Sequence, residues 1–371
     1  MSDPMKENVP NPENRGGSSE EPYHRLTEHL DSLPGGFSPS KTGAHIRLLK
    51  KLFTPKEAEL ATLLTLDQED AETISGKAGL SATQTEKLLG DMAMKGLIFS
   101  VKPPGGPTLY QAAPWVIGIY EFQVNNLNEN LIEALNEYWS SAESREKPWK
   151  PQLRTIPIGQ SIEPTLEVLP YEQVEKLVEE NDTFAVAPCI CRTIEKKQGR
   201  GCDAPIETCL IFGDFADFYV KTGLGRYIDK TEMKKKIAEA NEANLVLNPT
   251  NSKRVSAICC CCGCCCGVLK GLQHAPKPAE AVVSSFVAKY DSEACVGCGV
   301  CLERCQMQAI TEEGAKVSLN ADRCIGCGLC VSTCPTGALS LVRKPESSQR
   351  EIPATFYDTW YKISEEMSQK G

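Results

Sequence analysis

Cys295-Val296-Gly297-Cys298-Gly299-Val300-Cys301-Leu302-Glu303-Arg304-Cys305 is followed, 29 positions on, by Cys324-Ile325-Gly326-Cys327-Gly328-Leu329-Cys330-Val331-Ser332-Thr333-Cys334-Pro335. Both stretches space four cysteines as C-x2-C-x2-C-x3-C, the spacing of thiolates that hold a [4Fe-4S] cubane. Three thiolates of a run reach successive corners of one cubane. The fourth lies beyond a short helical turn and reaches the other cluster. The expected ligand sets are therefore crossed: Cys295, Cys298, Cys301 and Cys334 for cluster one, and Cys324, Cys327, Cys330 and Cys305 for cluster two. Zinc also accepts Cys-x2-Cys, but it rarely takes three cysteines in continuous steps, and here it would have to do so twice. The first run departs from the second at one place: Gln306 stands where the second has Pro335.

The repeat extends past the ligands. Gly297 and Gly299 match Gly326 and Gly328, and Ala309-Ile310 matches Ala338-Leu339. Glycines let the backbone approach a cluster closely, and their N–H groups can bond its sulfurs. The apolar pairs are expected to close over the clusters and keep water out. This module spans residues 281–341, with the expected fold of a bacterial two-cluster ferredoxin.

The rest of the chain bounds the remaining possibilities. A chain of 371 residues with 41% hydrophobic content has room for several domains, each with its own core. A net charge of −9 without a basic run argues against a general nucleic-acid coat. Nineteen cysteines point to metal chemistry rather than a disulfide framework, which fits a reducing cytoplasm. Residues 1–21 read as a disordered polar tail rather than a signal peptide. No stretch approaches the ~20 apolar residues that a membrane span needs.

Residues 22–149 read as a winged-helix-like domain with extra helices. Thr54-Pro55-Lys56-Glu57 is a capping box with proline at the first helical position. Asp70 opens a second short helix ending near Gly79, and Ser81-Ala82-Thr83-Gln84 opens a third, stopped by Gly96. Two strands, Leu97-Ile98-Phe99 and Leu109-Tyr110, then flank Pro103-Pro104-Gly105-Gly106-Pro107. A winged helix often reads DNA with its third helix. Here that helix sets Lys87 and Lys95 against Glu86 and Asp91, and the wing adds only Lys102. Phosphate contacts supply most DNA affinity, so a protein-docking or scaffold role is favoured over DNA binding. Residues 342–371 form a tail in which Phe356, Trp360, Ile363 and Met367 fall at helical spacing. Its plain reading is a helix packed on the body, and a partner-docking helix is the sharper one.

Residues 150–274 are expected to form a cysteine-rich α+β domain, so the whole chain reads as multidomain α+β. Cys189 and Cys191 follow Thr183-Phe184-Ala185-Val186-Ala187, which reads as a buried strand. Cys202 and Cys209 come next, in loop-like and helix-starting contexts. Cys259 to Cys266 then places seven cysteines in eight positions around Gly263. Adjacent residues point in different directions, so these cannot all ligate one metal. The simplest reading is a third metal site. Cys189, Cys191 and either Cys202 or Cys209 would supply one side. Cys261 or Cys262 and Cys264 or Cys265, brought together by a turn at Gly263, would supply the other. A soft-metal or persulfide sink, a redox dithiol, and simple packing of small side chains stand as alternatives. Arg192 and Arg226 suit either a cluster's negative charge or an acidic partner. His24, His29, His45 and His274 form no metal spacing, and no paired catalytic carboxylates, nucleophile elbow or phosphate loop is present.

Taken whole, roughly residues 40–341 resemble a group of anaerobe proteins known as 4Fe-4S dicluster ferredoxin-type proteins. The resemblance is carried by Phe53-Thr54-Pro55-Lys56-Glu57-Ala58-Glu59-Leu60 and by Pro114-Trp115-Val116-Ile117-Gly118-Ile119-Tyr120-Glu121-Phe122. It continues through Leu169-Pro170-Tyr171-Glu172, Pro188-Cys189-Ile190-Cys191-Arg192, Cys259 to Cys266 and the ferredoxin pair. It implies two cubane clusters, electron transfer and a redox partner protein. It also marks Cys260 as the least expected ligand, because members often carry another residue there. A redox- or metal-responsive winged-helix transcription regulator is the alternative function, and a reductase with a middle-domain metal centre is the second alternative.

Overall fold

The computed structural model describes residues 20–141, 151–163 and 166–368. The expected N-terminal tail, except its last two residues, and the expected boundary at residues 149 and 150 lie outside the described residues.

The chain opens with α1 (Glu21–Ser32), α2 (Ala44–Leu52) and α3 (Pro55–Ala61). The Thr54 hydroxyl accepts from Glu57 N–H, and the Glu57 carboxylate accepts from Thr54 N–H at 2.8 Å, so both arms of the capping box at α3 are made. After a short β1 (Glu69–Asp70) comes α4 (Ala71–Ala78), capped by Asp70 and ended by Gly79 at φ +63°. The capping box of Ser81 and Gln84 starts α5 (Ala82–Met94). A hairpin of β2 (Ile98–Val101) and β3 (Leu109–Ala112) follows, and β1 adds to its β3 edge. A short α6 (Tyr120–Phe122) and the longer α7 (Glu129–Ser141) complete this block.

The middle block is one antiparallel sheet flanked by helices. After α8 (Val174–Glu179), the chain forms β4 (Phe184–Pro188), α9 (Ile190–Lys197), β5 (Glu207–Phe212), α10 (Asp214–Lys221) and β6 (Arg226–Ile228). It continues through α11 (Lys230–Glu242), β7 (Val246–Pro249), β8 (Ala257–Cys261), α12 (Gly267–His274) and α13 (Pro278–Ala281). The strand order is β6-β4-β5-β8-β7. Side chains alternate across a strand. On one face Leu210, Phe212, Val186, Ile258 and Cys260 enter an apolar cluster with α8 and α11. On the other, Ala185, Ala187, Ile211 and Ala257 join the core of the first block. Phe99 of β2 seals that junction, with ring centroids 4.5 Å from Phe215 and 4.7 Å from Phe218 of α10.

The last block is small. β9 (Phe286–Tyr290) pairs antiparallel with β12 (Leu339–Arg343). Between them lie α14 (Val300–Arg304) and a hairpin of β10 (Ile310–Glu313) and β11 (Lys316–Leu319). The closing helix α15 (Phe356–Ser368) takes the plain course, with Phe356, Trp360 and Ile363 buried against the body. Trp360 Nε1 donates to Gln152 Oε1 at 2.7 Å, and the Tyr361 hydroxyl donates to Asp67 at 2.8 Å. Among the described residues no helix is long and apolar enough to cross a membrane.

Candidate metal centres

Of the nineteen free cysteines, eight lie in the last block and eleven in the middle block. In the last block, Cys295, Cys298, Cys301 and Cys334 line a common pocket together with Tyr290, Val317 and Leu339. Cys305, Cys324 and Cys330 pack together on the far side, and Cys327 is close enough to interact with Cys324 and Cys305. The fourth cysteine of each run thus stands with the first three of the other.

The residues present fit cubane clusters. Gly297 N–H donates to Cys295 Sγ at 3.4 Å, Ala288 N–H to Cys324 Sγ at 3.3 Å and Ala309 N–H to Cys305 Sγ at 3.2 Å. Such bonds stabilise thiolates and tune the potential of the iron they hold. Gly297 and Gly326 lie at φ +70° and +72°. A Cβ there would strike the carbonyl oxygens of Ala315 and Phe286, so both steric room and backbone angle demand glycine. Burial raises the Cys327 thiol to about 12, the cost of an apolar enclosure.

The middle cysteines divide in two. One group is a quartet: Cys202, Cys262, Cys264 and Cys265 hold their sulfurs within 4.8 Å of one another. Arg192 is buried beside it and donates to Cys262 Sγ at 3.3 Å, to the Cys260 carbonyl at 3.3 Å and to the Thr208 hydroxyl at 2.7 Å. Burial would lower the Arg192 guanidinium, but the Cys189 and Cys262 sulfurs hold it above its usual range. Although burial opposes it, Ala204 N–H and the neighbouring thiols draw the Cys202 thiol down to about 7.

The second group is a chain of sulfurs. Cys189 interacts with Cys191, Cys191 with Cys266, Cys266 with Cys261, Cys261 with Cys259, and Cys259 with Cys209. Three of these sit on one face of the sheet, because Cys209 of β5 pairs with Cys259 of β8 and Cys261 lies two residues further along. Cys189 is the N-cap of α9, with Cys191 in its first turn, and Cys266 is the N-cap of α12. Both helices therefore aim N–H groups and positive dipole ends at the sulfurs. Arg192 N–H interacts with Cys189, and Gly267 N–H with Cys191. Asn248 Nδ2 is buried without a hydrogen-bond partner, and the Asn248 side chain is directed at Cys261.

Sequence reasoning placed Cys189 and Cys191 with Cys202 or Cys209. The structure brings Cys209 to them and takes Cys202 to the Gly263 turn. Cys209 lies inside β5, where a helix start was expected, because its run Glu207–Phe212 is a buried strand. Within β8 strand alternation sends Cys260 to the opposite face of the sheet from Cys259 and Cys261, and burial raises its thiol to about 12. Its side chain packs in the apolar cluster with Leu210 and Ile258. Arg226 pairs with Glu207 and Glu232 at the surface, at 3.0 and 2.6 Å, and His274 Nδ1 meets the Lys270 carbonyl.

The first block adds residues that sequence reasoning did not assign to a site. The Tyr120 hydroxyl donates to Cys191 Sγ at 3.8 Å, and from α10 of the middle block the Tyr219 hydroxyl interacts with Cys209. Burial raises the Glu121 carboxyl to about 8, even though Gly118 N–H donates to its Oε2 at 2.9 Å. Ile117 stands at φ +56°, a costly angle for a β-branched residue, at the kink from which α6 presents Tyr120. The only sequence signal for Ile117, Tyr120 and Glu121 was the 114–122 stretch carried by the family resemblance, and Tyr219 had none.

Residues 288–341 match the family model of the 4Fe-4S dicluster domain, so this segment is a domain of the 4Fe-4S ferredoxin type. No curated protein and no solved structure matches the chain.

Proposed function

We propose that this chain is a cytoplasmic iron–sulfur electron-transfer protein of an anaerobe, passing single electrons through two [4Fe-4S] clusters to or from a partner oxidoreductase. The observation that carries this reading is the dicluster match over residues 288–341, together with the Cys295, Cys298, Cys301 and Cys334 cavity. The clusters would supply one-electron redox chemistry. The chain's own residues supply thiolates, N–H donors and an apolar cover.

The two clusters face different ways. The first ligand set opens to the surface, where Cys298 is exposed beside Val296 (67% exposed) and Val300 (40%). The second faces inward: Ile158 N–H donates to the Cys327 carbonyl at 3.1 Å, and Met307, Ile325 and Leu329 pack among the middle cysteines. Electrons would be exchanged with the partner at the first cluster and pass inward through the second. We read Cys189, Cys191, Cys209, Cys259, Cys261 and Cys266 as a third iron–sulfur centre at the inner end of this route. Its burial and the helix ends aimed at it support that reading.

The three blocks are read as a winged-helix-like domain, a cysteine-rich domain and a two-cluster ferredoxin domain. The element order of residues 54–112 supports the first label, and its third helix α5 suits docking better than DNA. Full-length protein prepared without oxygen and analysed for iron and acid-labile sulfide, with redox-titrated EPR, tests the reading. About eight irons and eight sulfides for the dicluster alone, with S = 1/2 signals on reduction, are expected. Stoichiometric zinc with no iron signal from iron-replete cells would overturn it.

A further inference from the structure

The Cys202, Cys262, Cys264 and Cys265 quartet differs in kind from the cluster sites. Its sulfurs touch: Cys202 Sγ is 3.7 Å from Cys262 Sγ and 3.8 Å from Cys265 Sγ, and Cys264 Sγ is 3.7 Å from Cys265 Sγ. A tetrahedral ion with metal–sulfur bonds of about 2.3 Å separates its ligands by about 3.8 Å. A cubane instead spreads its four thiolates outward from four iron corners. The Cys295 quartet is spread in that way: its cysteines line one pocket, and among the described residues it is the Cys202 group, not this one, whose sulfurs come within 4.8 Å of one another. At Cys202 all four sulfurs lie within 4.8 Å of one another, a spacing that leaves space for one ion.

We propose that these four residues hold a single divalent metal ion, with zinc as the expected occupant, separate from every iron–sulfur centre of the chain. Binding replaces four S–H bonds with four metal–sulfur bonds and releases four protons, with no change of oxidation state. The resulting ML4 unit carries a charge of −2. Arg192 lies 3.3 Å from Cys262 Sγ to offset it, and half-exposed Cys202 and exposed Cys264 give the ion a way in. A filled d shell imposes no geometry of its own, so zinc takes whatever tetrahedron the chain offers. Iron(II) can use the same four thiolates, and the test separates the two.

The site's place in the fold assigns it a role. Cys202 lies on the loop after α9, and the other three ligands lie on the turn between β8 and α12, so one ion ties together segments about sixty residues apart in sequence. At the centre of that turn, Gly263 N–H donates to Gln306 Oε1 at 2.7 Å, one residue beyond Cys305. A Cβ on Gly263 would meet Gln273 Nε2 and the Gln306 carbonyl oxygen, so the turn and the dicluster domain are in direct contact there. The ion thus fixes the platform on which the second cluster rests.

The experiment compares full-length wild type with Cys264→Ser and Cys202→Ser, all made without oxygen in medium containing both iron and zinc. Each variant is expected to lose about one metal ion per chain, keep its acid-labile sulfide and keep the dicluster EPR signals. A parallel loss of sulfide would make the site a cluster and overturn the proposal, as would unchanged metal content. The wild type provides the measurement that does not depend on a variant folding. Zinc-edge X-ray absorption is expected to show four sulfurs at about 2.3 Å and no iron neighbour. A mononuclear high-spin iron component in the Mössbauer spectrum, with the zinc edge silent, would keep the one-ion site but make it iron. Absence of both overturns it. Loss of the dicluster signals in wild type would sink the electron-transfer reading and leave this one standing.

Discussion

Gly263 and Gln306 meet across the boundary between the cysteine-rich sheet and the dicluster domain, with Gly263 N–H donating to Gln306 Oε1 at 2.7 Å. The same side chain donates from Nε2 to the Asn244 carbonyl at 3.0 Å, and the Gln306 carbonyl accepts from Gln273 Nε2 at 2.7 Å. Gln306 occupies the position that holds proline in the second cysteine run. A proline there would have neither side-chain oxygen nor nitrogen, so the departure from the repeat supplies two of the hydrogen bonds between the two blocks.

Gln306→Ala should therefore leave both clusters intact and loosen their seat. It removes the side-chain bonds to Gly263 N–H and the Asn244 carbonyl, a cost of about 0.5–1.5 kcal/mol for each of these part-buried hydrogen bonds. Limited proteolysis should cut earlier in the 262–275 region while the EPR spectrum stays as in wild type. Unchanged protease resistance would mean that the contact contributes nothing.

Crossed ligation predicts which cluster each serine variant damages. Cys334→Ser should perturb the cluster held by Cys295, Cys298 and Cys301, since Cys334 lines their cavity. Cys305→Ser should perturb the one held by Cys324, Cys327 and Cys330. The two variants should remove different EPR components, and loss of the same component in both would contradict the crossing.

Replacing Cys189 and Cys191 together with serine should remove about four irons and leave the dicluster spectrum unchanged. The middle sheet and the first block meet at these sulfurs through Tyr120, so protease sensitivity should rise as metal is lost. Full iron retention would return these residues to the thiol-redox or packing readings.

Binding of DNA by α5 should be weaker than micromolar at physiological salt. Its exposed face mixes Glu86, Lys87 and Asp91, and Lys95 is held by Glu57 at 2.6 Å. Counterion release needs several free phosphate contacts, which this face lacks. Fluorescence anisotropy with duplexes from the flanking promoter checks it, and sub-micromolar sequence-specific binding would promote the regulator alternative.

Phe99→Ala should destabilise the protein by about 3–5 kcal/mol, the usual cost of deleting a buried phenyl ring. Its ring is the contact between the β2–β3 hairpin and α10, so the first block should lose protection in hydrogen exchange before the dicluster domain does. Uniform loss across the chain would show that the blocks unfold as one unit.

The sequence by itself determined what depends on local chemistry. Cysteine spacing pointed to the dicluster domain that the family model matches over residues 288–341, because a cubane is wrapped by residues three apart in one loop. Capping boxes at Thr54 and Ser81, with Gly79 and Gly96, marked the ends of three helices, because those hydrogen bonds close within four residues. Only the tertiary structure decided how the eleven middle cysteines divide. Strand alternation sends Cys259 and Cys261 to one face of the sheet and Cys260 to the other. The pairing of β5 with β8 brings Cys209 to Cys259, and the turn at Gly263 delivers three sulfurs to Cys202. Tyr120 and Glu121 reach the same sulfurs from another block. Those contacts join segments tens of residues apart, and spacing along the chain carries no information about register between strands or about which helix end faces which sheet.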